Sequence, residues 1–167
     1  FPTDPASTIG CEFFAKTWST SEDEECKFLI WDTSGQEVFR TFTPQFCRGA
    51  QLGLVFYDST TSLDEAELVR KLSNWIAYTP ENCQILLVPT KSDLVTPGQE
   101  PKTLCDKLFV KSLHEVYTAS PVSAKEDTGV DGLLTQMAHI LKSVQPRPTY
   151  RDTVVFDDVE EKGCCSI

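Results

Sequence analysis

Two short apolar runs most constrain the fold of this chain. Residues 52–57 and 85–88 are almost continuously apolar, without the alternation of a half-exposed strand. Runs of this kind are typical of parallel strands that are covered on both faces. Between them, Ser62 and Glu65 have the spacing of a helix capping box, and an apolar stripe comes next at helical spacing: Leu68, Leu72, Trp75 and Ile76. The pattern predicts a β-α-β unit with a parallel sheet.

The segment before this unit predicts a hairpin. Residues 11–18 and 26–31 have the composition of two strands, and the acidic stretch 21–25 joins them as a turn. Asp32, Ser34 and their neighbours then follow the second strand. We therefore expect the chain to open with an antiparallel pair.

The segment after the unit continues the alternation of strand and helix. Residues 102–113 predict a weaker helix, 116–118 a short strand and 128–144 a strong helix. The stripe stops there, and prolines and acidic residues dominate the remainder of the chain. We expect an α/β domain over residues 1–144 and a flexible tail over 145–167. The apolar face of the last helix contains Val130, Leu133, Leu134, Met137, Ile140 and Leu141.

Composition excludes several classes of protein. The 167 residues have a net charge of -10, which argues against nucleic acid as a partner. The seven cysteines include no C-x-x-C pair, so neither zinc nor a disulfide framework is predicted. We expect the five cysteines of the domain to pack in its core, in a reducing compartment. No apolar run reaches the ~20 residues of a membrane span.

The stretch after the predicted hairpin has a pattern that suits a phosphate site. Asp32 and Gly35 form D-x-x-G, and Gln36 follows at once. The carboxylate can hold a magnesium-bound water, the glycine lets a backbone N–H approach a terminal phosphate, and the glutamine can orient an attacking water. The alternative is that Asp32 caps a turn and Gln36 lies on the surface.

Two further polar sites come after predicted strands. Thr90-Lys91-Ser92-Asp93 comes after residues 85–88, and Ser123-Ala124-Lys125 comes after 116–118. Asp93 can accept two hydrogen bonds from guanine, Lys91 can lie along the base, and a backbone N–H of the second tripeptide can meet the guanine carbonyl. Each site alone could be a solvated loop. In open α/β sheets, however, ligands bind at the carboxyl ends of strands, so the three sites together predict guanine binding.

The chain resembles the Rab family of Ras-like small GTPases over nearly its whole length. The resemblance rests on I-G-C-E-F at 9–13, K-F-L-I-W at 27–31, V-F-R-T-F-T at 38–43 and F-C-R-G-A at 46–50, with D-T-S-G-Q-E at 32–37 between them. It implies the Ras-like P-loop NTPase fold, a mostly parallel sheet with helices on both faces. It also implies that GTP or GDP binds with Mg²⁺.

The resemblance assigns further residues. Thr8 would be the switch threonine that binds magnesium together with Asp32, and Phe1 would pack on the guanine edge. Phe13, Trp31 and Phe46 would form the aromatic surface that effectors recognise; core packing is an equally good interpretation of these three. An exchange factor, a GTPase-activating protein, a GDP dissociation inhibitor and a Rab escort protein are the other implied partners.

Three residues depart from the usual Rab pattern. Thr90 replaces asparagine, Ser34 replaces alanine and Val38 replaces arginine. Rho-like proteins also have threonine at the position of Thr90, so guanine binding is still expected, with a weaker loop contact. Regulator contacts are expected to differ.

The larger departure is the phosphate loop, since G-x-x-x-x-G-K-[ST] does not occur in the sequence. We therefore expect this chain alone to be inactive, with the family's first strand, P-loop and first helix missing. In the family that strand lies between the strands matched by 26–31 and 52–57, so these two should face each other across a gap. The first residue is Phe1, which also suggests a fragment of a longer protein.

The chain ends in Cys164-Cys165-Ser166-Ile167. A cysteine four residues from the end is a prenylation signal, and in Rab proteins such an ending accepts two geranylgeranyl groups. Two lipids anchor a protein where one binds only marginally. The alternative is two inert cysteines.

The sequence therefore predicts a Rab-type GTPase that switches between GTP and GDP in vesicle trafficking. We expect it on the cytoplasmic face of an endomembrane, with a cytosolic pool. A nucleotide-free, lipid-anchored binding module and a non-functional fragment are the alternatives.

Overall fold

The structure is a computed structural model that describes residues 8–20, 25–34, 43–60, 65–77, 79–96 and 115–144. Its elements follow the alternation of the sequence. The strands are β1 (Cys11–Ser19), β2 (Glu25–Thr33), β3 (Leu52–Asp58), β4 (Gln84–Thr90) and β5 (Val116–Thr118), and the helices are α1 (Thr43–Phe46), α2 (Glu65–Ile76) and α3 (Val130–Ser143). The predicted α/β class is confirmed.

Strands β1 and β2 form the predicted antiparallel hairpin. Phe13 lies opposite Trp31, and Glu12 lies opposite Asp32. The expectation that Asp32 follows the end of the strand is therefore wrong, because β2 continues through Thr33. Backbone pairing does not require an apolar side chain, so the ladder passes Asp32 while its side chain stays exposed.

Strands β3, β4 and β5 form a parallel sheet in that order. Strand β4 is central, and its residues 85–88 are fully buried. They alternate between two cores: Ile85 and Leu87 pack toward α2 with Leu72 and Ile76, whereas Leu86 and Val88 pack toward α3 with Met137. The apolar run without alternation thus has its predicted cause, a strand covered on both faces.

Helix α3 begins two residues later than predicted. Thr128 exchanges two backbone hydrogen bonds with Ser123, both of 3.0 Å, and so belongs to the preceding loop. Gly129 has a φ of +76°, which is left-handed backbone and outside a helix. The apolar stripe fixes the helix face, and the buried residues of the helix are Met137 and Ile140 of the stripe together with Ala138.

The two sheets share no ladder among the described residues. Between them lies a cavity of about 600 Å³, lined by residues 30–33 of β2, 52–56 of β3 and three apolar side chains of α3. Successive side chains of a strand point to opposite faces. A cavity wall that is formed by consecutive residues is therefore the edge of a strand rather than one of its faces. The edges of β2 and β3 therefore line the same cavity.

The cysteine prediction holds in part. Of the four described cysteines, none of which is in a disulfide, Cys83 is buried and Cys11, Cys26 and Cys47 are only half-buried. In the described part of the chain, no three metal-binding side chains cluster and no helix is long and apolar enough to cross a membrane. Ser62, Cys105, the side chains of Leu68 and Trp75, the predicted helix 102–113 and the tail 145–167 lie outside the described residues.

Candidate functional site

The proposed guanine-binding carboxylate is held by a contact across two loops. Asp93 lies in a single 3-10 turn (Ser92–Leu94) that begins after Lys91, the residue that follows β4. The hydroxyl of Ser123 donates to its Oδ1 at 2.6 Å, and Nζ of Lys125 lies 3.9 Å from its Oδ2. The Asp93 side chain is only 12% exposed. These contacts bring three predicted site residues together and fix the direction of the carboxylate.

The loop that supplies Ser123 is compact. Ser123 and Thr128 bond each other through their backbones, and the Ser123 hydroxyl also accepts from the N–H of Glu126 at 3.1 Å. Asp127, with a φ of 53°, turns the chain between them. Ala124 and Lys125 are exposed on this turn. The contact of a backbone N–H there with the guanine carbonyl stays a prediction.

Gly129 closes this loop and was missed by the sequence reasoning. A Cβ at this position would lie 2.7 Å from the carbonyl oxygen of Pro121, and the positive φ independently favours glycine. A glycine just before an apolar helical stripe was the available signal. The loop geometry of Ser123 therefore depends on this residue.

Thr90 is the last residue of β4 and connects the site to β3. Its hydroxyl donates to the carbonyl of Tyr57 at 3.0 Å, and its own carbonyl accepts from the N–H of Ser59 at 3.1 Å and from the Ser59 hydroxyl. The threonine that departs from the usual asparagine thus bonds the neighbouring strand. The prediction that Thr90 follows the strand is corrected, because β4 extends two residues beyond the apolar run.

Lys91 forms an ion pair that the sequence did not reveal. Its Nζ lies 2.7 Å from Oδ2 of Asp58, at the end of β3. Lys91 itself has left-handed backbone, with φ 59° and ψ 39°. The hydrogen bond from Lys91, with two more from Thr60, lowers the pKa of Asp58 to about 2. The contacts with Lys91 and Thr60 therefore favour the ionised form of Asp58.

The two predicted magnesium ligands lie in contact. The hydroxyl of Thr8 donates to Oδ2 of Asp32 at 3.0 Å, and the N–H of Ser34 donates to the carbonyl of Gly10 at 2.9 Å beside them. A hydroxyl and a carboxylate are hard oxygen donors of the kind that Mg²⁺ prefers. The two residues fit this ion as part of its ligand set.

The three aromatic residues form one cluster. The rings of Phe13 and Trp31 are 5.2 Å apart and tilted, and those of Trp31 and Phe46 are 6.2 Å apart and stacked. Phe13 is 40% exposed, and the other two are partly buried and line the cavity. The cluster is thus neither fully buried nor fully open.

Five predicted site residues lie outside the described part of the chain: Phe1, Gly35, Gln36, Cys164 and Cys165. Their roles remain predictions.

Comparison with known proteins decides the family. The family model "Ras family" matches residues 1–143, which include every element described above. The chain belongs to the Ras family. The Ras-like fold and the predicted Rab-family membership are thereby confirmed, since similar Ras-family members include Rab and Ypt-type proteins.

Three of these Ras-family relatives cover most of the chain. The "Ras-related protein YPTC6" of Chlamydomonas reinhardtii is 30% identical over 184 positions, which span 99% of the chain and 83% of that protein. The "Ras-related protein Rab-22A" of Canis lupus familiaris is 30% identical over 84% of the chain and 71% of its own length. The "Ras-related protein Rab-1D" of Dictyostelium discoideum is 35% identical over 82% of the chain and 65% of its own length. The chain is a Rab-family small GTPase.

Proposed function

We propose that this Rab-family chain binds guanine nucleotide as a GTP/GDP switch in intracellular vesicle trafficking. The observation that supports this most is the Asp93 carboxylate, which accepts a hydrogen bond from Ser123. The Asp93 side chain is 12% exposed, while the residue as a whole lies at the surface. Guanine offers a ring N–H and an exocyclic amine to one carboxylate, and adenine lacks this pair of donors. A site that leaves a buried carboxylate unpaired rejects the wrong base by as much as ~10⁴.

The phosphate half of the proposed site rests on Thr8 and Asp32. The hydrogen bond between these two side chains supports the proposal, and magnesium, when bound there, would neutralise phosphate charge. Gly35 would let a backbone N–H approach the terminal phosphate, Phe1 would pack on the guanine edge, and Gln36 would orient the attacking water. Because the sequence contains no G-x-x-x-x-G-K-[ST], we propose that these 167 residues alone bind nucleotide weakly and turn over little GTP.

The proposed partners are inferred from two other features. The half-exposed cluster of Phe13, Trp31 and Phe46 would bind effectors, because aromatic anchors carry most of the energy of many interfaces. Geranylgeranyl groups on Cys164 and Cys165 would hold the protein on an endomembrane, after delivery by a Rab escort protein and with a GDP dissociation inhibitor supporting the cytosolic pool. An exchange factor and a GTPase-activating protein would drive the switch.

One experiment tests the central proposal. Fluorescent mant-GDP and mant-ADP are titrated into the 167-residue chain and into Asp93→Asn, with Asp131→Asn as the control for loss of one charge on an exposed aspartate. We expect the wild type and Asp131→Asn to prefer mant-GDP. The Asp93→Asn amide presents a hydrogen-bond donor in place of one acceptor, so this variant should lose its affinity for mant-GDP. It should instead prefer the mant-labelled diphosphate of xanthine, because xanthine has a second carbonyl that accepts a hydrogen bond where guanine has an amine.

A second candidate function is a nucleotide-free binding module. It is favoured by the aromatic cluster, whose ring contacts involve none of the proposed nucleotide-binding residues. A wild-type chain that unfolds cooperatively in urea but does not distinguish mant-GDP from mant-ADP would support the module. A chain without cooperative unfolding would support a non-functional fragment.

The lipid anchor needs its own test. Replacing Cys164 and Cys165 by serine should move the protein from the membrane to the soluble fraction after cell fractionation, with Cys83→Ser as the control. Continued recovery of the double variant on membranes would refute the anchor.

A further inference from the structure

Asp58 is a candidate for a role that the sequence reasoning did not assign. It lies at the carboxyl end of β3, beside the end of β4 that leads into Lys91 and Asp93. Its two carboxylate oxygens have separate partners. Oδ1 accepts from the N–H and the hydroxyl of Thr60, at 2.8 and 2.6 Å, and Oδ2 accepts from Nζ of Lys91 at 2.7 Å.

We propose that Asp58 is a positioning residue of the guanine site, which holds the Lys91 side chain in place before the base arrives. This inference rests on the proposed function, because it assigns Lys91 to the base. A free lysine side chain loses much rotational entropy when a ligand orders it. An ion pair that already restricts Lys91 removes part of that cost from nucleotide binding.

The surroundings of the pair support positioning rather than a chance surface contact. The strand ends that hold the two residues are joined by hydrogen bonds from Thr90 to Tyr57 and from Ser59 to Thr90. Lys91 keeps left-handed backbone, a conformation that costs a non-glycine residue energy and is commonly retained at functional sites. Both ends of the ion pair are thus fixed by the backbone, and Thr60 fixes the carboxylate.

The exposure of the pair sets the expected size of the effect. The Lys91 and Asp58 side chains are 56% and 35% exposed, and ion pairs at such sites make modest contributions. Loss of Asp58 should therefore weaken binding of guanine nucleotide by about two- to fivefold, mainly through faster dissociation. The loss should also depend on Lys91.

The test is a double-mutant cycle on the 167-residue chain. Dissociation of mant-GDP is measured for the wild type, Asp58→Asn, Lys91→Ala and the double variant, with Asp131→Asn as the control. If Asp58 acts through Lys91, Asp58→Asn accelerates dissociation in the wild type but has little effect in the Lys91→Ala background. Asp58→Glu, which keeps the charge, should return the dissociation rate most of the way to the wild-type value.

The possible failures are distinguishable. Equal effects of Asp58→Asn in both backgrounds, or no effect at all, would overturn the positioning role while leaving guanine binding intact. A wild type that binds neither mant-GDP nor mant-ADP would overturn the proposed function and the positioning role together.

Discussion

The hydroxyl of Ser123 donates a hydrogen bond to Asp93, with 2.6 Å between Oγ and Oδ1, although the two residues lie 30 positions apart in the chain. The bond joins the turn after β4 to the loop before α3. The same hydroxyl accepts the N–H of Glu126, so one side chain organises both its own loop and the neighbouring carboxylate. The proposed guanine site is therefore a tertiary arrangement rather than a local motif.

Replacing Ser123 with alanine should weaken guanine binding. The variant leaves Asp93 with one partner fewer, and a hydrogen bond to a charged group contributes about 1.5 to 3 kcal/mol. We expect mant-GDP affinity to fall about tenfold or more. Ser143→Ala is the matched control, because that hydroxyl bonds the carbonyl of Ile140 at the far end of α3. Equal affinities of the two variants would show that the bond to Asp93 has no part in binding.

Gly129 and Gly132 provide a paired test of the loop before α3. Gly129→Ala places a methyl group 2.7 Å from the Pro121 carbonyl at a positive φ, so it should lower the free energy of unfolding by about 2 kcal/mol or more. Gly132 lies within the helix with open space at its Cβ position, so alanine there should stabilise by up to about 1 kcal/mol.

Urea unfolding followed by circular dichroism measures both variants. If the two alanines shifted the midpoint in the same direction, the left-handed backbone of Gly129 would not be required. Because Gly129 shapes the Ser123 loop, its variant should also weaken mant-GDP binding, whereas Gly132→Ala should not.

The elements that repeat a pattern were predictable from the sequence. The buried run of β4 and the apolar stripe of α3 each depend on many residues, so one unusual residue does not obscure them. The ends were harder to predict. Asp32 stays within β2 because backbone pairing tolerates a polar side chain, and α3 begins late because of the backbone at Gly129, which the apolar stripe does not reveal.

The residues of the candidate site also differ in how far the sequence predicted them. Asp93 and Ser123 were predicted because both come after apolar runs and sheet geometry brings such strand ends together. The contact between Lys91 and Asp58 was not predicted, because the lysine side chain could reach several carboxylates and only the packed structure selects one. Thr90 was expected to weaken the loop contact, and its bond to Tyr57 shows where its hydroxyl is used instead.

The ionisation of Asp58 gives a prediction for pH. Its pKa in the folded chain, about 2, lies below its ordinary value of 3.8, so folding favours the charged form. The stabilisation from the Lys91 pair is present above about pH 4 and is lost as the pH falls through about 2. At pH 3 the carboxyl should be mostly ionised, as its carbon chemical shift in a ¹³C-labelled sample would show.

Lys91→Ala is the informative variant for this measurement. It removes the largest cause of the low pKa, so the Asp58 titration should move part of the way back toward 3.8, and the carboxyl should be less ionised at pH 3 than in the wild type. The two hydrogen bonds from Thr60 remain and keep the pKa below its ordinary value. An Asp58 titration that is the same in both proteins would mean that the ion pair does not form in solution.

The aromatic cluster can be tested against core packing by its stability cost. Phe28 of β2 is 1% exposed and packs in the same core cluster as Leu86 of β4 and Met137 of α3. Phe28→Ala should therefore lower the free energy of unfolding by about 3 to 5 kcal/mol. Phe13 is 40% exposed and makes its ring contact with Trp31, so Phe13→Ala should cost about 1 kcal/mol. Urea unfolding of both variants gives the comparison, with Phe28→Leu as a milder change if Phe28→Ala does not fold. A Phe13 cost close to that of Phe28 would place the cluster in the core and argue against an effector surface.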